Sequence, residues 1–440
     1  MSTTAYGAAP DASIEARTMR RVTWRLVPFL IVCYFVAYLD RVNIGFAQIA
    51  MKDDLGISAT LFGQAAGIFF LAYFIFEVPS NLLLERFGAR KWIARIMFTW
   101  GILSGAMALV GGPTSLLVVR FLLGIAEAGF FPGIIFFLTL WFPSAYRARI
   151  VGYFMAAIPM SGVIGGPISG YLLNLHGLAG LKGWQWLFVL EAAPALILSV
   201  VVFFYLTDRP ADASWLADDE RAWLANRLGQ ERRIRESAAH YTVGQALVNP
   251  RVLALAYVYF GAVACNYGVS FFIPSIFKGF GLTNAETGWL SAVPFAVGAV
   301  TMIVWGLHSD RTGERKGHLA LALAVAAVGI GASGLVSDPT LKVLLLSFGA
   351  MGVFGCLPVF WTLPTAFLSG PAAAGGIAII NALGNLSGYF GPAATGYLKD
   401  QTGGYGAGFL LMAVLALVAM VVVLLLGHDA RLERVPAAAE

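Results

Sequence analysis

The sequence predicts an all-α membrane protein with twelve transmembrane helices arranged as two pseudo-symmetric six-helix bundles. Three observations carry that prediction. Apolar residues fill 59% of 440 positions, charged residues only 12%, and mean hydropathy is +0.77; a soluble domain would carry about 25% charge. The apolar residues come in runs of roughly 20, the length a helix needs to cross a hydrocarbon core about 30 Å thick. They lack the short alternating segments of a membrane β-barrel. Finally, one loop pattern recurs in the two halves of the chain.

Taken in order, the apolar segments are 24–50, 61–84, 92–111, 115–140, 149–175 and 184–206, then 251–277, 286–307, 318–336, 341–367, 374–398 and 405–427. Residues 1–23 read as a polar tail, with no short apolar stretch or small-residue cleavage site that would make them a signal peptide. The first bundle is 24–206, a polar linker spans 207–250, the second bundle is 251–427, and 428–440 form a second tail. Of the 29 Lys and Arg, 22 fall in the tails and in the loops after helices 2, 4, 6 and 8. Lys52, Lys182, Lys278, Lys342 and Lys399 lie on the other side, and Arg41 and Arg120 lie within helices. The basic side is expected to be cytoplasmic, which puts both termini inside a bacterial-type inner membrane. Such a distribution accounts for the basic pI without nucleic acid. Cys33, Cys265 and Cys356 lie in predicted helices without metal-ligand or disulfide spacing.

The recurring pattern has a fixed offset. Asn81–Lys91 (NLLLERFGARK) matches Gly306–Lys316 (GLHSDRTGERK) at a displacement of 225. The same displacement carries Gly166-Pro167 onto Gly391-Pro392 and Gly124 onto Gly349. Two homologous units with a site at their interface are the architecture of a secondary transporter.

Four ionisable residues within the membrane need a reason, because each costs about 2.5–3.5 kcal/mol at mid-bilayer on insertion scales. They are Asp40 and Arg41 in helix 1, and Arg120 and Glu127 in helix 4. Arg120 and Glu127 are two helical turns apart, on one face; Tyr38 and Arg41 also share a face. A structural charge network would account for neutrality. However, the repeat places Cys265, Asn266, Leu345 and Gly352 at the corresponding positions, so the second bundle folds without these charges. Function is the better assignment. Arginine presents a permanent planar fork suited to a carboxylate, and buried carboxylates can exchange protons near neutral pH. Two arginines beside two such acids are the minimum equipment for proton–anion symport.

The paired loops resemble the signature of the major facilitator superfamily, with Asn81 where the family has glycine in the first copy. YLDRVN (38–43), RFLLGIAEAGFFPG (120–133), GWQWLFVLEAAPA (183–195) and NALGNLSGYFGP (381–392) are similar to its anion:cation symporter branch, which carries hexonates, tartrate, phthalate, allantoate and sialic acid. The resemblance covers about residues 20–427 and implies the major facilitator fold. It implies Asp40 and Glu127 as proton sites, with Arg120 as partner of the acids, and Arg41 as the carboxylate anchor. Tyr73, Trp361 and Asn381 match positions that contact hydroxylated acids in the branch. Asn385 follows one turn later, and Asn266 and Tyr267 sit at the repeat positions of Arg41 and Val42 in helix 1. For each neutral residue, ordinary helix packing is the competing role. The family also implies a cytoplasmic latch, with Glu85 and Asp310 capping helix ends of the opposite half, among Arg86, Arg90, Arg311 and Arg315.

Glu77, near the cytoplasmic end of helix 2, is expected either in a gate or interface role or exposed, and Glu191, on a peripheral helix, is expected to be structural. Residues 161–170 and 384–392 carry GxxxG spacings for close helix packing. Trp215, Leu216, Trp223, Leu224 and Leu228 give the linker an amphipathic stretch behind Asp218-Asp219, suited to a membrane interface. The expected function is uptake of a small organic carboxylate by proton-coupled symport through alternating access. The chain is expected to work as a monomer among membrane lipid, with the proton gradient as energy source and no cofactor or metal. A drug exporter driven by proton antiport shares the fold and is the alternative. The sequence has no HExxH, GxSxG or Walker A motif to support an enzyme or ATP drive.

Overall fold

The computed structural model describes residues 12–236, 249–367 and 371–426, and all of its membrane segments are helical. In the first half, span 1 is Ala12–Leu55, span 2 Ala59–Phe87, span 3 Ala89–Ala106 and span 6 Gly183–Tyr205. Span 4 is broken into Pro113–Glu127 and Phe130–Trp141, and span 5 into Ser144–Met155 and Ala157–Leu172. In the second half, span 7 comprises Pro250–Ser270 and Ile273–Lys278, span 8 Asn284–Thr312, span 9 Lys316–Leu335 and span 12 Gly406–Leu425. Span 10 comprises Pro339–Phe360 and Thr362–Phe367, and span 11 is Pro371–Thr402. Among the described residues, eleven of these are long and apolar enough to cross a membrane by composition. Span 11, with six glycines and two asparagines, completes the twelve and packs against spans 2 and 7.

The repeat is visible in how the helices begin and end. Span 2 starts at Ser58, whose hydroxyl accepts from the Leu61 amide at 3.1 Å. Its mate at the 225 offset, Thr283, starts span 8 with a capping box, in which the Glu286 carboxylate accepts from the Thr283 amide at 2.8 Å. Hydroxyl caps satisfy amides that the first helical turn leaves without partners. Spans 2 and 8 stop at Gly88 (φ 90°) and Gly313 (φ 67°), another repeat pair, in a backbone region that strains residues with a side chain. Matching local chemistry thus cuts two long apolar runs at equivalent places.

The halves meet at the end opposite the basic loops. A Cβ on Gly63 of span 2 would lie 2.2 Å from the Pro392 carbonyl of span 11. A Cβ on Gly288 of span 8 would lie 2.4 Å from the Gly166 carbonyl of span 5. Gly63 and Gly288 are 225 apart, as are Pro167 and Pro392, so the two crossings are repeats of one another. The absent side chains let backbones touch, which is how helices gain contact where no hydrophobic drive exists between them. Asp400 at the end of span 11 caps span 2, accepting from the Thr60 amide at 2.7 Å and the Ala59 amide at 3.2 Å. Ser275 donates to Gln48 at 2.8 Å, tying span 7 to span 1.

Span 7 is the most enclosed, with 72% of its central window buried. Spans 6, 8 and 12 are the least, at 39%, 33% and 39%, and they present exposed residues such as Phe204, Ile303 and Leu425 to lipid.

The linker differs from expectation. Span 1 begins at Ala12, well inside the expected tail, and Arg17 and Arg21 on this extension bind the buried Glu220 of a linker helix, Asp218–Glu236, at 3.0 and 2.6 Å. Leu216 and Leu224 are buried by protein, and Trp215 stacks on Trp141 at 5.2 Å. The apolar stripe expected to lie on lipid is spent on the basic end of the first half. It docks there because its acids meet the arginines of span 1.

Candidate functional site

A narrow cavity lies between the halves, near the helix breaks. Its wall includes Tyr34, Tyr38 and Arg41 of span 1, Phe70 and Tyr73 of span 2, and Phe131 of span 4. Tyr259, Asn266 and Tyr267 of span 7 and Asn381 and Asn385 of span 11 face them. Tyr38, Arg41, Tyr73, Asn266, Tyr267, Asn381 and Asn385 therefore come together as the sequence predicted. Sequence reasoning missed Tyr34 and Tyr259. Both could have been found by helical spacing, since Tyr34 is four residues before Tyr38 and Tyr259 seven before Asn266. Trp361 is a correction: it sits at the break in span 10 behind Tyr259, ring centroids 4.9 Å apart, and does not reach the cavity. Its ring packs edge-on against Tyr259, which does line the cavity.

Arg41 is the single cation of this wall. Its Nη2 donates to Glu127 Oε1 in a buried ion pair, and its Nη1 donates to the Tyr267 hydroxyl at 3.3 Å. Tyr267 and Tyr38 share a hydrogen bond of 2.8 Å, which links the halves across the site. The guanidinium is boxed by rings, 4.9 Å from Tyr38, 5.3 Å from Phe69 and 5.6 Å from Tyr73. Its Nε–H is buried without an acceptor. A buried charge-bearing donor without a partner is costly.

Glu127 owes its position to a glycine. The first helix of span 4 ends at Glu127, and Gly129 follows in the left-handed region at φ 86°. A Cβ there would lie 2.4 Å from Ser80 Oγ, so span 4 bends against span 2 just where the carboxylate meets Arg41. Arg120 is a second correction, because it forms no ion pair with either acid. Its Nε and Nη2 donate to the Ala65 and Ala66 carbonyls of span 2 at 3.0 and 3.1 Å. One turn later, a Cβ on Gly124 would stand 2.3 Å from the Phe69 carbonyl. The two backbones are pressed together there, so the guanidinium lands on main-chain oxygens before it can reach a carboxylate.

Asp40, adjacent to Arg41 in sequence, points the other way. It turns into the first half, where it accepts from Trp100 Nε1, from Ser104 Oγ at 2.8 Å and from Asn43 Nδ2 at 3.4 Å. Neighbouring helical residues diverge by about 100°, so one helix serves two separate sites. Glu77 is buried and bridges the halves, accepting from Asn381 Nδ2 at 3.1 Å. The interface role fits it, and exposure does not.

The latch residues do not cross between halves in this conformation. Asp310 pairs with Arg315 of its own loop at 2.6 Å, and Arg90 with Asp208 at the start of the linker at 3.8 Å. Glu85, Arg86 and Arg311 form no ion pair among the described residues. Among the described residues, Glu85 and Asp310 cap no helix end of the opposite half.

A sequence profile described as Major Facilitator Superfamily matches the chain twice, over residues 30–283 and 255–440. The chain belongs to the Major Facilitator Superfamily. It is a transporter and not an enzyme, and the doubled match follows its two halves. A putative tartrate transporter of Agrobacterium vitis is 51% identical over 94% of this chain and 92% of its own length. A quinolone resistance transporter of Acinetobacter baumannii is 41% identical over 96% of both chains. Among solved structures, a bacterial homologue of the human lysosomal transporter Spinster, inward-facing and unoccupied, superposes with a TM-score of 0.74 at 17% identity, covering 98% of this chain and all of that one. The xylose transporter XylE from E. coli gives 0.73 at 15% identity, covering 91% and 97%. At these identities the structures speak to the fold alone.

Proposed function

We propose that this transporter imports a small hydroxylated dicarboxylate of the tartrate type together with protons. The observation that carries the proposal is the Arg41–Glu127 pair in the cavity wall, with an unused donor on Arg41. Tyrosine hydroxyls and three asparagine amides around it suit the hydroxyls and second carboxylate of such a solute. The 51% identity to a putative tartrate transporter supports the same class.

The pair also suggests how solute and proton are coupled. A solute carboxylate entering the site competes with Glu127 for Arg41. Displaced, Glu127 would be a buried charge without a counterion, and taking up a proton neutralises it. Solute and proton then travel together because neither neutral state is reached without the other. Asp40, set behind span 1, is not needed for this exchange. The basic end is assigned to the cytoplasm, with both termini inside; the far end is then the sealed outer side and the conformation is inward-facing.

The test is uptake of labelled tartrate into proteoliposomes, with the pH gradient and the potential imposed separately. Accumulation driven by an inward proton gradient supports symport. Absence of tartrate uptake and of counterflow would overturn the solute class. The 41% identity to a quinolone resistance transporter favours a second reading, export by proton antiport. Proton-driven quinolone movement in the opposite direction, with tartrate ignored, would establish it instead.

A further inference from the structure

Behind the cavity, the first half encloses another pair of acids. Asp40 and Glu191 are each 2% exposed, and Asn43, 1% exposed, lies between them. The Asn43 amide reaches Asp40 and also faces the Glu191 carboxyl. Ser169 of span 5 donates to Glu191 Oε1 at 2.6 Å. The other oxygen, Oε2, is buried with no hydrogen-bond partner, and so is Asn43 Oδ1.

We infer that this cluster is a proton-binding site, with the proton on Glu191 Oε2 and Asp40 as the resident carboxylate. Two independent arguments lead there. The first is the donor count. Asp40 receives three donors, one of them the Trp100 indole, which can only donate. That surround fits a carboxylate and leaves no acceptor for a proton of its own. Glu191 receives Ser169, faces the Asn43 amide and keeps Oε2 without a hydrogen-bond partner, and a carboxylic acid turns that oxygen into a donor. The orphan Oδ1 of Asn43 can accept from it after rotation about the amide's soft last torsion, which withdraws Nδ2 from Asp40 and leaves that carboxylate its Trp100 and Ser104 donors.

The second is charge. Arg41 is already paired with Glu127, and Arg120 is held by the Ala65 and Ala66 carbonyls, so neither buried arginine serves Glu191. An ionised Glu191 would leave one negative charge without a counterion inside the bundle. The groups that face it are Asn43 and Asp40 from span 1 and Ser169 from span 5, and none is a cation. A carboxyl in that position holds its proton. The site lies outside the cavity.

Infrared spectroscopy on the full-length protein in lipid, without solute at neutral pH, reads the proton directly. A protonated carboxyl stretches at higher wavenumber than a carboxylate. That band is expected in the wild type, lost in Glu191→Gln and kept in Glu127→Gln, whose wild-type side chain is ion-paired. Ser169→Ala should move it to higher wavenumber, because the carbonyl oxygen loses its donor; this arm does not depend on the Glu191 variant folding. Glu191→Gln mimics the protonated acid and should melt with the wild type, whereas Asp40→Asn sets an amide N–H against existing donors and should melt lower. A spectrum unchanged by both Glu191→Gln and Ser169→Ala, or Glu191→Gln melting well below Asp40→Asn, would overturn the assignment. No solute or gradient enters the measurement, so its failure is separate from failure of the symport reading.

Discussion

Glu127→Gln isolates the coupling step. In the wild type, solute gains Arg41 only by displacing a carboxylate that already holds it. Glutamine keeps the shape and removes the charge, so the competitor is weakened. A hydrogen bond to a charged group is worth about 1.5–3 kcal/mol. At 1.4 kcal/mol per factor of ten, the variant should bind tartrate roughly 10- to 100-fold more tightly at a pH where Glu127 is ionised. The pH dependence has a definite sign. If binding transfers a proton onto Glu127, affinity is complete at low pH and falls as pH rises, by about tenfold per unit for one proton. Titration calorimetry in buffers of different ionisation enthalpy counts that proton: about one per tartrate in the wild type and none in Glu127→Gln. The variant should also lose accumulation driven by a pH gradient while keeping exchange of external for internal tartrate. Equal proton uptake in both proteins, with unchanged gradient-driven accumulation, would show that Glu127 merely neutralises Arg41 and would refute the mechanism.

The remaining predictions concern the anchor, the outer seal and sidedness. Arg41→Lys should lose tartrate binding by at least tenfold in calorimetry, since an ammonium cannot present a two-pronged donor set from inside the ring box; near-normal affinity would reduce Arg41 to a diffuse charge. Asp400→Ala removes a helix cap worth about 0.5–2 kcal/mol, so the sealed far end should open roughly 2- to 30-fold more often, read as cysteine labelling beside Gly63. Partial burial pushes the Asp400 carboxyl up, but hydrogen bonds from Thr60 and the Ala59 amide outweigh it and hold it below the ordinary carboxylate range. The cap is therefore complete above the usual Asp pKa and lost as pH falls through the lowered value, and labelling should rise with acid in the wild type but not in Asp400→Ala. Gly288→Val should disfavour the same seal, because a side chain there meets the Gly166 carbonyl; unchanged labelling would deny that contact a role. A cysteine replacing Lys182 should label from outside intact cells, and one placed in the 306–316 loop should not.

Fold class, span number and the two-unit organisation were legible in the chain because bilayer thickness sets helix length and an internal offset is a property of one string of residues. The offset went further than expected, since it pairs the caps Ser58 and Thr283, the stops Gly88 and Gly313, and the crossings at Gly63 and Gly288. The face of span 1 that carries Tyr38 and Arg41 was legible too, because helical periodicity sorts residues of one helix. What periodicity cannot do is say which helix lies opposite. Arg120 and Glu127 share a face of span 4, yet tertiary packing sends one to the span 2 backbone and the other to Arg41. Asp40 and Arg41 are chain neighbours that belong to different sites, and Glu191, assigned to the periphery, joins Asp40 in the interior. Composition and period determine what a helix offers on each side; only the packing of twelve helices decides which offers are answered, because hydrogen bonds and charge pairs depend on distances that sequence separation does not contain.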